Sequence, residues 1–171
     1  GLVANQTLAM VGTQFISNTA GGNGGGIAVG SATLTGGLLQ GNTSGGQGGG
    51  LRAGGTLVLS GTQVLSNTST GNGGGVFANG AATLTGGLIH GNTGSRGGGL
   101  EANSTLAVDG TPFIGNTASG YGGGAYAVGA ATLNDGLFQS NTGLRAGGLE
   151  TNSTLTLTGT DRQGRAIEVV T

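Results

Sequence analysis

Few side chains here could do acid–base or metal chemistry: 171 residues include five arginines, six carboxylates, one histidine and no cysteine. A Ser-His-Asp arrangement would rest on His90 alone. Gln40 and Gln139 occupy the same phase of the repeat described below, which marks His90 as a surface position. Asp109, Asp135 and Asp161 fall at different phases. No two carboxylates fall in neighbouring repeats at one phase with an arginine alongside, so paired acid–base work has no candidates. Thiolate sites and disulfides are excluded without cysteine. No catalytic residue, cofactor or metal is expected, and the chain is not expected to be an enzyme.

The glycine runs are the other feature that could be taken for a site. Residues 21–26, Gly-Gly-Asn-Gly-Gly-Gly, resemble a phosphate-binding loop. The run recurs in nearly every repeat, no helix follows it, and the chain has no lysine, so the motif fails its context. Calcium-binding glycine-rich nonapeptides need an Asp, where these runs have Asn23 and Asn72. Nucleic acid needs a cationic footprint, and the formal net charge is -1. No apolar run is long enough for a transmembrane helix. The start has neither a basic region nor an apolar core of a signal peptide, which fits a mature or excised chain.

The elements that position these residues come from an internal repeat. Asn-Thr begins at Asn18, Asn42, Asn67, Asn92, Asn116 and Asn141, 24 or 25 residues apart. Thr-Leu begins at Thr7, Thr33, Thr56, Thr83, Thr105, Thr132 and Thr154, and Thr7, Thr56, Thr105 and Thr154 lie 49 apart each time. Each unit holds an alternating run such as residues 56–61, an apolar piece ending in Asn such as residues 15–18, and a glycine run leading into a short strand such as residues 73–78. The period of 2 and the absence of a 3.6 period predict strands. Forty-four glycines would penalise helices further. The architecture expected is all-β: a right-handed parallel β-helix of about seven coils of 24–25 residues in a 49-residue double repeat. Coils stack because one alone cannot bury its apolar face. Residues 1–160 form this domain, and 161–171 are a divergent tail that caps the last coil or docks on another copy.

Three inward columns are expected, like on like. They are Leu8, Leu34, Leu57, Leu84, Leu106, Leu133 and Leu155; Phe15, Leu39, Val64, Ile89, Phe113 and Phe138; and Ile27, Leu51, Val76, Leu100, Ala125 and Leu149. Asn18, Asn42, Asn67, Asn92, Asn116 and Asn141 are expected to form a structural ladder. Asn tolerates left-handed backbone, and its amide both donates and accepts. Asn18→Leu should therefore cost more than Thr19→Ala.

The Gly-Gly-Gly-apolar segments paired with Phe-x-x-Asn resemble the repeats of polymorphic outer membrane proteins and similar bacterial surface β-helices. The matching residues are Phe15 with Asn18, Phe113 with Asn116, Phe138 with Asn141, and the runs before Ile27, Val76 and Leu100. The resemblance covers roughly residues 1 to 160. It implies a right-handed parallel β-helix, secreted or displayed on a bacterial surface as an adhesin or stalk. The right hand also follows the general crossover preference.

Function is then expected at ends and faces. Residues 1–51 carry no charge, and the first repeat shows no polar cap. Leu2 and Val3 at one end, and Ala166, Ile167, Val169 and Val170 at the other, are candidate subunit-interface residues for head-to-tail stacking. The outward column Ala28, Arg52, Phe77, Glu101, Tyr126 and Glu150 is expected to be solvated, with Phe77 and Tyr126 a candidate lateral or carbohydrate contact. Rows of Thr33/Thr35, Thr83/Thr85 and Thr154/Thr156 raise ice binding, against interruption at Ala9, Val58, Ala107 and Asn134. Sequons stand at Asn5, Asn42, Asn67, Asn103 and Asn152. The expected role is an extracellular structural subunit that stacks head to tail into a filament, stalk or layer. A glycan- or host-surface-binding adhesin is the first alternative and an ice-binding solenoid the second.

Overall fold

The structure, a computed structural model, describes residues 1–159 in full together with the backbone of Thr160 and of the strand Ala166–Val170. It contains no helix among the described residues. Parallel strands stack into a β-solenoid. Six coils are complete and a seventh is begun by the strands Leu149–Thr151 and Leu155–Thr160, which corrects the count of about seven. Thr-Leu occurs seven times but Asn-Thr only six, and a coil closes only when its Asn corner is reached.

Each coil has four strand positions rather than three. Coil 4 illustrates them: Val76–Ala78, Ala82–Thr85, Leu88–His90 and the two-residue Thr93–Gly94. The short fourth strand comes just after the Asn. Its inward side chains are small, with Ser44, Ser69 and Ala118 buried, because the next glycine run passes close by. At Gly98 in that run a Cβ would collide with the Thr117 carbonyl oxygen, so only glycine fits.

The first and second strand positions share one sheet, because Leu2–Val11 and Ile27–Thr35 run through both. The last strand departs from the rule. Ala166–Val170 pairs antiparallel with Leu155–Thr160, Thr156 facing Val170 and Thr160 facing Ala166. A parallel coil stacked on that edge would need the same hydrogen-bonding groups.

Two of the inward columns stack in the expected register, from Phe15 on Leu39 through Phe113 on Phe138, and from Ile27 on Leu51 through Ala125 on Leu149. The rings of Phe113 and Phe138 stack face to face, centroids 4.7 Å apart. The Thr-Leu column is corrected. Leu8 faces Ala32, Ala32 faces Leu57 and Leu57 faces Ala82, while Leu34, Leu59 and Leu84 form a second inward column two residues on. Thr-Leu therefore marks two phases, and the 49-residue double repeat is a packing alternation. Coils with Leu at the first inward position turn the next corner with Gly-Thr, and coils with Ala there turn it with Gly-Gly or Asp-Gly. Thr62, buried, donates its hydroxyl to the Gly36 carbonyl, and Thr111 donates to that of Gly86.

The asparagines form a continuous column. Asn18 Nδ2 donates to Asn42 Oδ1 at 2.9 Å, Asn42 to Asn67 at 2.9 Å, Asn67 to Asn92 at 3.0 Å, Asn92 to Asn116 at 2.9 Å and Asn116 to Asn141 at 2.9 Å. The second amide hydrogen goes to a backbone carbonyl, as from Asn67 to Leu39 at 2.8 Å. Left-handed backbone is not the reason for Asn. The positive φ falls on the preceding residue, Ser17, Gly41, Ser66, Gly91, Gly115 or Ser140, and the Asn serves by its amide alone. Asn42 and Asn67 are fully buried, so the folded chain cannot be glycosylated there.

Candidate functional site: a polar stripe in a trough

The chemistry-bearing residues gather on one stripe. Arg52, Phe77, Glu101, Tyr126 and Glu150 stack outward from the first strand of successive coils, below Ala28. The loop before that strand supplies a second column, in which Gln47, Asn72, Arg96, Tyr121 and Arg145 occur at the position five residues earlier. Arg52, Arg96, Glu101, Arg145 and Glu150 all belong to these two columns, leaving only Asp109 and Asp135 elsewhere among the charged residues before Thr160.

This stripe corrects the expectation of a solvated face. Phe77 is 1% exposed, Tyr126 5% and Glu101 0%. The strand is only three residues wide, so the loop column on one side and the following corner on the other rise above it. The side chains lie in a trough and are covered. Arg96 reaches over from the loop, its guanidinium carbon 5.2 Å from the Tyr126 ring centre. From the corner, Asn152 Nδ2 donates to the Tyr126 hydroxyl at 2.7 Å. Phe77 and Tyr126 are thus not available for lateral or carbohydrate contact. Of the stripe's aromatics Tyr121 is the accessible one, with the Arg145 guanidinium 5.1 Å from its ring centre.

Glu101 is the strongest electrostatic feature. Its Oε1 accepts from Arg96 Nη2 at 2.9 Å and from Asn72 Nδ2 at 3.3 Å, while Oε2 is buried and has no partner among the described residues. Burial pushes its pKa up to about 7, against the lowering pull of Arg96 and of the hydrogen bonds. Glu150 repeats the arrangement more loosely, 3.4 Å from Arg145 Nη2. The Arg-x-x-x-x-Glu pattern at 96/101 and 145/150 was the signal in the sequence for these pairs, and reading only one column at a time misses it.

The other candidate residues do not join the stripe. Leu2 faces inward on Ile27, whereas Val3 is 79% exposed. Ala166, Ile167, Val169 and Val170 pair by backbone with Thr160, Gly159, Leu157 and Thr156 of their own chain, and their side chains lie outside the described residues. His90 is exposed in the third-strand column between Leu65 and Ile114. Asp161 lies outside the described residues. Among the described residues no three of His, Asp and Glu group in a way that could hold a metal ion. The Thr rows come apart in register: Thr33 faces Ala9 and Val58. A different column is regular, the exposed Thr19, Thr43, Thr68, Thr93, Thr117 and Thr142.

Glu101 is sealed from solvent by its cover. The trough can hold charge, stack rings and accept a ligand only where its cover is incomplete. No family model matches the sequence, and neither a curated protein nor a solved structure matches it significantly.

Proposed function

We propose that the chain is a structural β-solenoid, a rigid rod that builds an extracellular filament, stalk or surface layer, with head-to-tail joining as the filament form. One observation carries the reading: the uninterrupted amide column from Asn18 to Asn141, which ties each coil to the next by buried hydrogen bonds. The resemblance to bacterial surface repeats supports an extracellular setting. The antiparallel strand Ala166–Val170 bears on the joining step, because it occupies the edge on which a parallel coil of a second copy would stack. Electron microscopy and light scattering of the whole chain and of a chain ending at Thr160 test this. Particles longer than a single rod of about 34 Å are expected from both chains, and more of them from the shortened one, in which that edge is bare. Short single rods from both, at high concentration, would overturn the filament.

A second reading, ice binding, is favoured by the Thr19–Thr142 column, six hydroxyls in file on a face whose neighbours Ser17, Gly41, Ser66, Gly91 and Gly115 are small. The expected result is thermal hysteresis in the wild type that Thr68→Lys abolishes while the melting temperature holds. Absence of hysteresis removes this reading and leaves the rod untouched.

A further inference from the structure

Among the described residues the trough is open where the repeat breaks twice. Every complete coil but one places three residues between the first and second strand positions, as in Asn5-Gln6-Thr7 and Asn79-Gly80-Ala81. Coil 2 has only two, Gly30 and Ser31, and runs straight through as the strand Ile27–Thr35. Asn5 and Gln6 then bulge opposite Gly30, whose missing side chain admits the Asn5 carbonyl; a Cβ there would sit 2.7 Å from that oxygen. The same coil carries Ala28 where the coils beyond it carry Arg52, Phe77, Glu101, Tyr126 and Glu150. A low corner and a small stripe residue together leave a cavity of about 180 Å³, lined by Val3, Asn5, Ala28, Val29, Gly30 and, from coil 3, Arg52.

Arg52 differs from its counterparts in the stripe. Arg96 and Arg145 each meet the glutamate five residues on. In the coil of Arg52 the loop position holds Gln47, and the arginine itself stands at the glutamate's place. Among the described residues it meets no carboxylate, and its Nε is buried without an acceptor. Residues 1–51 contribute no side-chain charge, so no acid among them repels an anion approaching from that end.

We infer that this cavity is a binding site for a small carboxylate, held by the terminal nitrogens of Arg52, the part of its guanidinium that is not buried. A planar carboxylate matches the guanidinium fork, and each charge-assisted hydrogen bond is stronger than a neutral one. Val3, Ala28 and Val29 give the rest of the cavity an apolar wall, and Asn5 adds an amide at its rim. The volume lies below that of drug-sized pockets, so the ligand is a single ring or the acidic end group of a chain. That chemistry could come from a uronic acid of a polysaccharide or from a free aromatic acid.

Calorimetric titration of the whole chain with glucuronate, benzoate and, as the uncharged control, glucose tests the site. Saturable millimolar binding of at least one acid, and none of glucose, is expected. Glucuronate alone points to a polysaccharide source and benzoate alone to a free acid. Two variants keep the result interpretable. Arg52→Gln removes the charge and should weaken binding by at least about tenfold. Ala28→Phe fills the cavity with the side chain coil 4 already carries at this place, and should abolish binding while the melting temperature is held or raised. No saturable binding of either acid overturns the inference, as does equal binding by glucose or binding that survives either substitution in a chain with wild-type circular dichroism.

Discussion

Asn67→Leu should lower the melting temperature by about 10 °C, while Thr68→Ala, one residue on, should leave it nearly unchanged. Asn67 Oδ1 accepts from both the backbone N–H and the side-chain amide of Asn42, each at 2.9 Å. Its Nδ2 donates to the Leu39 carbonyl at 2.8 Å and to Asn92 Oδ1 at 3.0 Å. All four partners belong to the closed interior of the rod, so leucine strips their hydrogen bonds without letting water in. At about 1 kcal/mol net for each bond, and more where a buried group is left unpaired, the loss is about 4 kcal/mol. In a domain of this size each kcal/mol moves the midpoint by roughly 2–4 °C. Thr68 points its side chain outward, and an exposed substitution of this kind costs within about 0.5 kcal/mol. Position along the rod should matter as well. In a solenoid each interior coil has two interfaces and the end coil one. Asn18→Leu, in the first coil, should therefore cost about half as much as Asn67→Leu. Equal melting temperatures for Asn67→Leu and Thr68→Ala would mean that the column carries no stability.

That ladder was legible in the sequence because its reporter is unambiguous. One residue type recurs at one spacing, and its amide has two hydrogens to donate, one to the next coil and one to a backbone carbonyl, beside an oxygen that accepts from the last coil. The Phe15 and Ile27 columns were legible for a related reason, since each occurs once per coil beside a fixed marker. Thr-Leu misled because the same dipeptide serves at two phases, and only strand register separates Leu34 from Leu57. The stripe was misjudged on different grounds. Alternation along a strand tells which side chains leave the core, and it assigned Phe77 and Glu101 correctly to the outer side of the sheet. It does not tell what stands above that side. Burial here comes from loops and corners of the same and neighbouring coils that belong to no periodic strand, and their height is a tertiary property. The opening at coil 2 was hidden in the same way: one residue fewer between Val29 and Ala32 is invisible until both ends are placed in register with Ala53 and Leu57.

Glu101 makes the stripe's energetics depend on pH, in a direction opposite to that of a surface salt bridge. Its folded pKa is raised from 4.5 to about 7. The folded chain therefore holds this proton more tightly than the unfolded chain does. Between those two values unfolding releases the proton, so stability is greatest below about 4.5 and falls as pH rises toward 7. The span corresponds to about 3 kcal/mol, since each pKa unit is worth about 1.4 kcal/mol. Arg96 does not prevent the loss, because its guanidinium is partly solvated while the carboxylate is sealed and leaves Oε2 unpartnered among the described residues. Glu101→Gln keeps an oxygen for Arg96 and Asn72 and has no proton to release. Melting temperatures followed from pH 4.5 to 8 should thus fall by roughly 5–10 °C more in the wild type than in Glu101→Gln. The variant should be the more stable chain at pH 8. Every other titrating group is common to both chains, so the difference between the two curves belongs to Glu101. Parallel curves would mean that water reaches the carboxylate and that the trough is not closed over it. In that case the cover supplied by Arg96 and the Asn72 loop would be open in solution, and the burial of Phe77 and Tyr126 beside it would fail with it.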